Sequence, residues 1–116
     1  MSKPINNLKL FNDLCAVEET LIERGWCKGK VKDVDGRVCL MGAAAQLCGV
    51  ASGYDIEEKK DYRRYHNIIN AIATTIYKGP ARIFHNVDTI ASFNDNPNTT
   101  IDDVRGKLRE AREALL

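Results

Sequence analysis

The sequence predicts a mainly α-helical fold, a small single-domain helical bundle over residues 1–116 with one short β-hairpin at about residues 29–40. Three observations predict it. Apolar residues recur at spacings of three and four through the long stretches of the chain. Glycines fall where those stretches end. One segment, around Asp35-Gly36, drops the helical period and alternates crudely instead.

From about Ile5 to Arg24, Leu10, Leu14, Val17 and Leu21 step by four, three and four, and Phe11, Cys15 and Ile22 widen the stripe. Gly25 is placed as a left-handed stop, with Trp26 folding back on Leu21 as a Schellman ending prefers, which gives Trp26 a structural job. Cys27 to Met41 contains the alternating run and the Asp35-Gly36 pair, which supplies the positive φ of a tight hairpin turn. A lone hairpin is marginal in water, so it must pack on helices. Gly42–Cys48 reads as a short helix ended by Gly49, its alanines allowing close approach, and Ala51-Ser52-Gly53 as a flexible joint. From about Ile56 to Tyr77 the stripe is Tyr62, Tyr65, Ile69, Ile72 and Ile76, stopped by Gly79-Pro80. Ile83, Val87, Ile90 and Ala91 mark a shorter helix, and Phe93–Asn98 is dense in turn formers. Thr100 is an N-cap with Asp103 completing a capping box. The last helix carries Ile101, Val104, Leu108, Ala111 and Leu115, with Arg105, Lys107, Arg109, Arg112, Glu110 and Glu113 on its solvent face.

Composition narrows the function classes. A 44% hydrophobic and 28% charged chain is in the soluble globular range, so disorder over most of it is not expected. A net charge of +1 provides no long-range field to draw in nucleic acid or an anionic membrane. No apolar run approaches the ~20 residues of a bilayer span. Met1–Asn7 lacks the apolar core of a signal peptide, so a cytoplasmic location is expected. Cys15, Cys27, Cys39 and Cys48 are then read as free thiols.

Each candidate chemistry has a plainer competitor. Four cysteines and two histidines invite zinc, but no close ligand pair of the C-x-x-C kind occurs, so packing is preferred and no metal or cofactor is expected. Cys27, beside Lys28 and Lys30, would be a nucleophile only if a base such as His66 or His85 folded close. Asp33-x-Asp35-Gly36 has the start of a calcium loop without its later ligands, and a turn accounts for it. Lys28, Lys30, Lys32 and Arg37, with Lys59, Lys60, Arg63 and Arg64 beside Tyr62 and Tyr65, offer phosphate contacts and stacking, diluted by Glu57, Glu58 and Asp61. Phe93-Asn94-Asp95 either caps and turns, or places an amide and a carboxylate in a pocket with Trp26 and Arg37 for a small polar ligand.

Gly25-Trp26-Cys27-Lys28-Gly29, then Asp35-Gly36-Arg37-Val38-Cys39 leading to Gly42-Ala43, then Phe93-Asn94-Asp95-x-Pro97 resemble an uncharacterised family of small bacterial and phage proteins. Phe93 stands where tryptophan is usual there. The resemblance implies a compact helical domain and a phage or mobile-element origin, and no activity. The preferred function is a non-catalytic binding module acting on a protein or a small polar ligand, with no catalytic residue. Its surface is expected at Trp26, Cys27, Gly29, Asp35, Arg37, Phe93, Asn94 and Asp95. In a phage the target would be a host defence component, met in the host cytoplasm. Homo-oligomers are common among such proteins, and a stripe wider than one core needs favours pairing. A cysteine- or aspartate-dependent enzyme, using Cys27 or Asp95, and a nucleic-acid accessory protein are the alternatives.

Overall fold

The stripe on the first helix is the surface on which three of the other four helices assemble. The computed structural model describes residues 7–49, 59–77 and 86–116, without the side chains of residues 59–61. It contains α1 (Asn7–Arg24), α2 (Leu40–Cys48), α3 (Lys59–Ile76), α4 (Asn86–Asp95) and α5 (Ile101–Glu113). α1 packs against α2, α3 and α5, and α3 against α2, α4 and α5. Leu10, Leu14, Val17 and Leu21 are all buried, as are Tyr65, Ile69 and Ile72 of α3 and Val104, Leu108 and Ala111 of α5. They share one core with Ile90 and the alanines of α2. The joint at 51–53, the Gly79-Pro80 stop, Ile83 and His85 lie outside the described residues.

The caps follow local chemistry. Gly25 ends α1 at φ +91° and Gly49 ends α2 at φ +74°, conformations that cost a side-chain-bearing residue. Thr100 accepts from the Asp103 amide while the Asp103 carboxylate accepts from the Thr100 amide, the reciprocal capping box.

The hairpin is corrected. Among the described residues there is no strand, only single pairings of Val38 with Trp26 (parallel) and with Lys32 (antiparallel). The reversal is centred on Val34-Asp35, closed by the Gly36 amide donating to the Asp33 carbonyl, with Gly36 alone at positive φ. The Asp33 carboxylate holds that turn, accepting from the Asp35 and Arg37 amides. No ladder extends from it because Cys39 is already the N-cap of α2, its thiol accepting from the Gly42 amide. Gly42 in turn lets the chain cross: a Cβ there would collide with the Val31 carbonyl oxygen.

A second correction concerns polar faces. Phe93, Asn94 and Asp95 form the last turn of α4 and not the turn that follows. Arg105 and Arg112 are not spread on a solvent face. Both reach the buried Glu18 of α1, at 2.8 Å and 2.6 Å to its two oxygens. Likewise Asp13 of α1, also buried, is gripped by Arg64 of α3 through Nε at 3.0 Å and Nη2 at 2.8 Å. Arginine suits this task because its fork matches both carboxylate oxygens.

Desolvation acts to raise the Glu18 carboxyl, but the hydrogen bonds from Arg105 and Arg112 outweigh it and hold the group below its ordinary 4.5. A depressed folded-state value means the contribution is complete above the unfolded value and is lost as pH falls through the folded one. Glu18→Gln is therefore expected to destabilise by about 1–3 kcal/mol at neutral pH. The gap to the parent protein should shrink below pH 4.5. Urea unfolding of both proteins across that range is the measurement; a gap independent of pH would refute it.

Candidate functional site

The segment between α1 and α2 has almost no sheet to satisfy its backbone, and α4 supplies what is missing. Asn94, 1% exposed at the end of α4, is the point of closure. Its Oδ1 accepts from the Trp26 indole at 2.7 Å and from the Leu40 amide at 3.1 Å. Its Nδ2 donates to the Cys27 carbonyl at 3.1 Å and to Asp95 Oδ1 at 2.9 Å. One amide thus joins the α1 exit, the α2 entry and its own helix, and it has no valence left for a ligand. Trp26, half-buried against the core, is likewise occupied at its polar tip. The Lys28 ammonium lies 5.2 Å from the centroid of the Trp26 ring and donates to the Asn96 carbonyl at 2.7 Å.

Asp95 differs. It is exposed, and its Oδ1 is fixed by the Gly29 amide at 2.8 Å and by Asn94. No hydrogen bond reaches Oδ2 among the described residues. Beside it opens a pocket of about 150 Å³, lined by Gly29, Lys30, Val31, Cys39, Met41, Ile90, Ala91, Asn94 and Asp95. The walls come from three elements: the loop after Trp26, the first turn of α2 and the buried side of α4. Lys30, Val31, Cys39, Met41, Ile90 and Ala91 were absent from the sequence-based site. Ile90 and Ala91 look like ordinary stripe positions, and no local signal marks the others.

The early aromatic-glycine bend and the late Asn94-Asp95 pair do meet, while other expected residues go elsewhere. Arg37 does not join Asn94 in a pocket. Its Nε binds Asp33 at 2.7 Å and its Nη2 reaches Asp35 at 3.5 Å. Its methylenes lie where a Gly25 Cβ would sit, 2.8 Å from Cγ. Desolvation works to raise the Asp33 carboxyl, but the Arg37 hydrogen bonds hold it below the usual range. Asp35 and Arg37 therefore serve the turn, and Phe93 packs against the core.

Cys27 is buried, and its thiol proton is shared between the Lys30 and Arg37 carbonyls, each 3.4 Å from the sulfur. Burial pushes the thiol above its ordinary value, with Asp33 adding to the effect. That is the reverse of nucleophile activation. His66 packs edge-on to Tyr62 at 4.2 Å. None of the four cysteines is in a disulfide, and no three His, Cys, Asp or Glu side chains among the described residues could together hold a metal ion. No described helix is long and apolar enough to cross a membrane.

A family model described as a family of unknown function (DUF6197) matches residues 12–114. No curated protein and no solved structure matches the chain.

Truncation of Asn94 to alanine leaves the indole N–H, the Leu40 amide and the Cys27 carbonyl without their partner. At about 1–3 kcal/mol for each buried orphan, Asn94→Ala should cost at least about 3 kcal/mol. Asn94→Asp keeps the shape but turns an acceptor toward the Cys27 carbonyl and the Asp95 carboxylate, and should also destabilise. Thermal and urea unfolding read both; an aspartate variant as stable as the parent would show that the amide nitrogen contributes nothing.

Proposed function

This chain, which belongs to the DUF6197 family of unknown function, is, we propose, a non-catalytic binding module whose working surface is the pocket between the Gly29–Val31 loop, the start of α2 and α4. The observation that carries the reading is the combination at that pocket. Its floor is apolar, from Val31, Met41, Ile90 and Ala91, and its edge holds the fixed Asp95 carboxylate with Oδ2 unpaired among the described residues. Concave, mostly apolar sites with a few oriented polar groups are the usual form of a ligand site.

Of the eight residues expected at the surface, Gly29, Asn94 and Asp95 line this pocket. Trp26 and Cys27 support it from behind through Asn94. The cysteine-dependent form of the enzyme alternative loses support because a buried, hydrogen-bonded thiol with a raised pKa is a poor nucleophile. The nucleic-acid alternative loses support because Lys28, Arg37 and Arg64, three of the cations it relied on, are engaged within the fold. Four cysteines outside any disulfide accord with a cytoplasmic setting. The resemblance to phage proteins extends the proposal to an accessory role in which a host component, such as one used in defence, is the thing bound.

One observation favours self-association as well. Leu8 and Ile22 of α1 are 70% and 57% exposed, on the same face as the half-buried Phe11 and Cys15.

Titration with a neutral apolar fragment such as isoamyl alcohol, followed by amide chemical shifts, tests the pocket. Shifts should centre on Gly29, Lys30 and Ala91, and Ala91→Leu, which fills the space, should abolish them; shifts that persist in the variant would overturn the site. Iodoacetamide at neutral pH should modify the partly exposed Cys15 before Cys27. Fastest reaction at Cys27 would restore the enzyme alternative.

A further inference from the structure

We propose that the occupant of this pocket is a zwitterion, a free α-amino acid with a medium-sized apolar side chain. The inference rests on the binding reading and adds the ligand's chemistry.

Two opposite charges border the same apolar pocket. Lys30 and Asp95 are both exposed and both line it. They do not pair with each other, and among the described residues neither the Lys30 ammonium nor Asp95 Oδ2 has another partner. Neighbouring groups able to neutralise them are already committed. The Lys28 ammonium donates to the Asn96 carbonyl. The Leu40 and Gly42 amides at the start of α2 donate to Asn94 Oδ1 and the Cys39 thiol. Lys30 is thus the cation that the lining residues offer to a carboxylate entering the pocket.

A ligand with a single charge fits only half of this arrangement. A cation gains Asp95 but faces Lys30, and an anion gains Lys30 but faces Asp95. A molecule with an ammonium and a carboxylate on one carbon offers a partner to each. The volume selects the rest of the molecule. About 150 Å³ walled by aliphatic and thioether groups is the size of apolar cavity that accepts a benzene-sized guest. An isobutyl or benzyl side chain matches such a space. Asp95 is also preorganised: Gly29 and Asn94 hold Oδ1, so Oδ2 needs little ordering to accept the ammonium.

The test is an amide-shift titration of the full chain with leucine, isoamylamine and 4-methylvalerate, which share one branched alkyl group and differ in charge. Leucine should bind about fivefold more tightly than either single-charge analogue, the ratio an exposed ion pair supports. Asp95→Asn keeps an acceptor toward Gly29 and should equalise leucine and 4-methylvalerate. Lys30→Met should equalise leucine and isoamylamine. Ala91→Leu, with both charges retained, should lose leucine altogether. Equal affinities for the three probes in the parent protein would overturn the zwitterion proposal while leaving an apolar binding site standing. Absence of any pocket shift with these probes and with the neutral alcohol would overturn both. Leucine binding that survives Ala91→Leu would place the amino acid elsewhere and refute the assignment.

Discussion

The buried amide of Asn94 is the constraint on which the rest of the structure depends. A fifteen-residue connection between α1 and α2 crosses the end of the bundle with two single pairings in place of a sheet. Buried backbone groups must be satisfied, and here a side chain from α4 does it. By taking the Trp26 indole, the Leu40 amide and the Cys27 carbonyl together, Asn94 sets where the connection lies and where α2 begins. The pocket beside it lies between the Gly29–Val31 loop, which the Gly29 amide ties to Asp95, and the residues Ile90 and Ala91 of α4.

The other side of the molecule is built on the same logic with charge. α1 carries two buried carboxylates, Asp13 and Glu18, and each is held by arginine from a different helix. A buried carboxylate without its partner is costly, so these pairs penalise alternative helix arrangements more than they add net stability. Apolar stripes supply the bulk of the driving force, and the ion pairs select which helix meets α1 at which height. Lys30 and Asp95, by contrast, are exposed where they line the pocket.

Much of the secondary structure was legible because its causes are local. The three-four spacing of Leu10, Leu14, Val17 and Leu21 produces a buried face in any context that offers a core. Gly25 and Gly49 stop helices through their own backbone freedom, and the Thr100–Asp103 box involves neighbours in sequence. The hairpin reading failed for a physical reason: Asp33 captured the turn through its side chain, one pairing from the place where Cys39 had to cap α2. At the site, the convergence of the Trp26 bend with Asn94 and Asp95 was anticipated, but not the use of each tip. Arg37 was assigned to the pocket because a guanidinium suits a ligand, and the structure spends it on Asp33 instead.

By itself the sequence determined the helical class, the helix stops and the capping chemistry, since these follow from spacing, glycine conformation and contacts within a few residues. Only the tertiary structure decided that Asn94 is internal and Asp95 half-free. The two are adjacent on one helix and chemically similar, and what separates them is the position of groups some 54 to 68 residues away in the chain. Long-range hydrogen bonds depend on how helices pack, and no local pattern encodes which of two neighbouring polar side chains will turn inward.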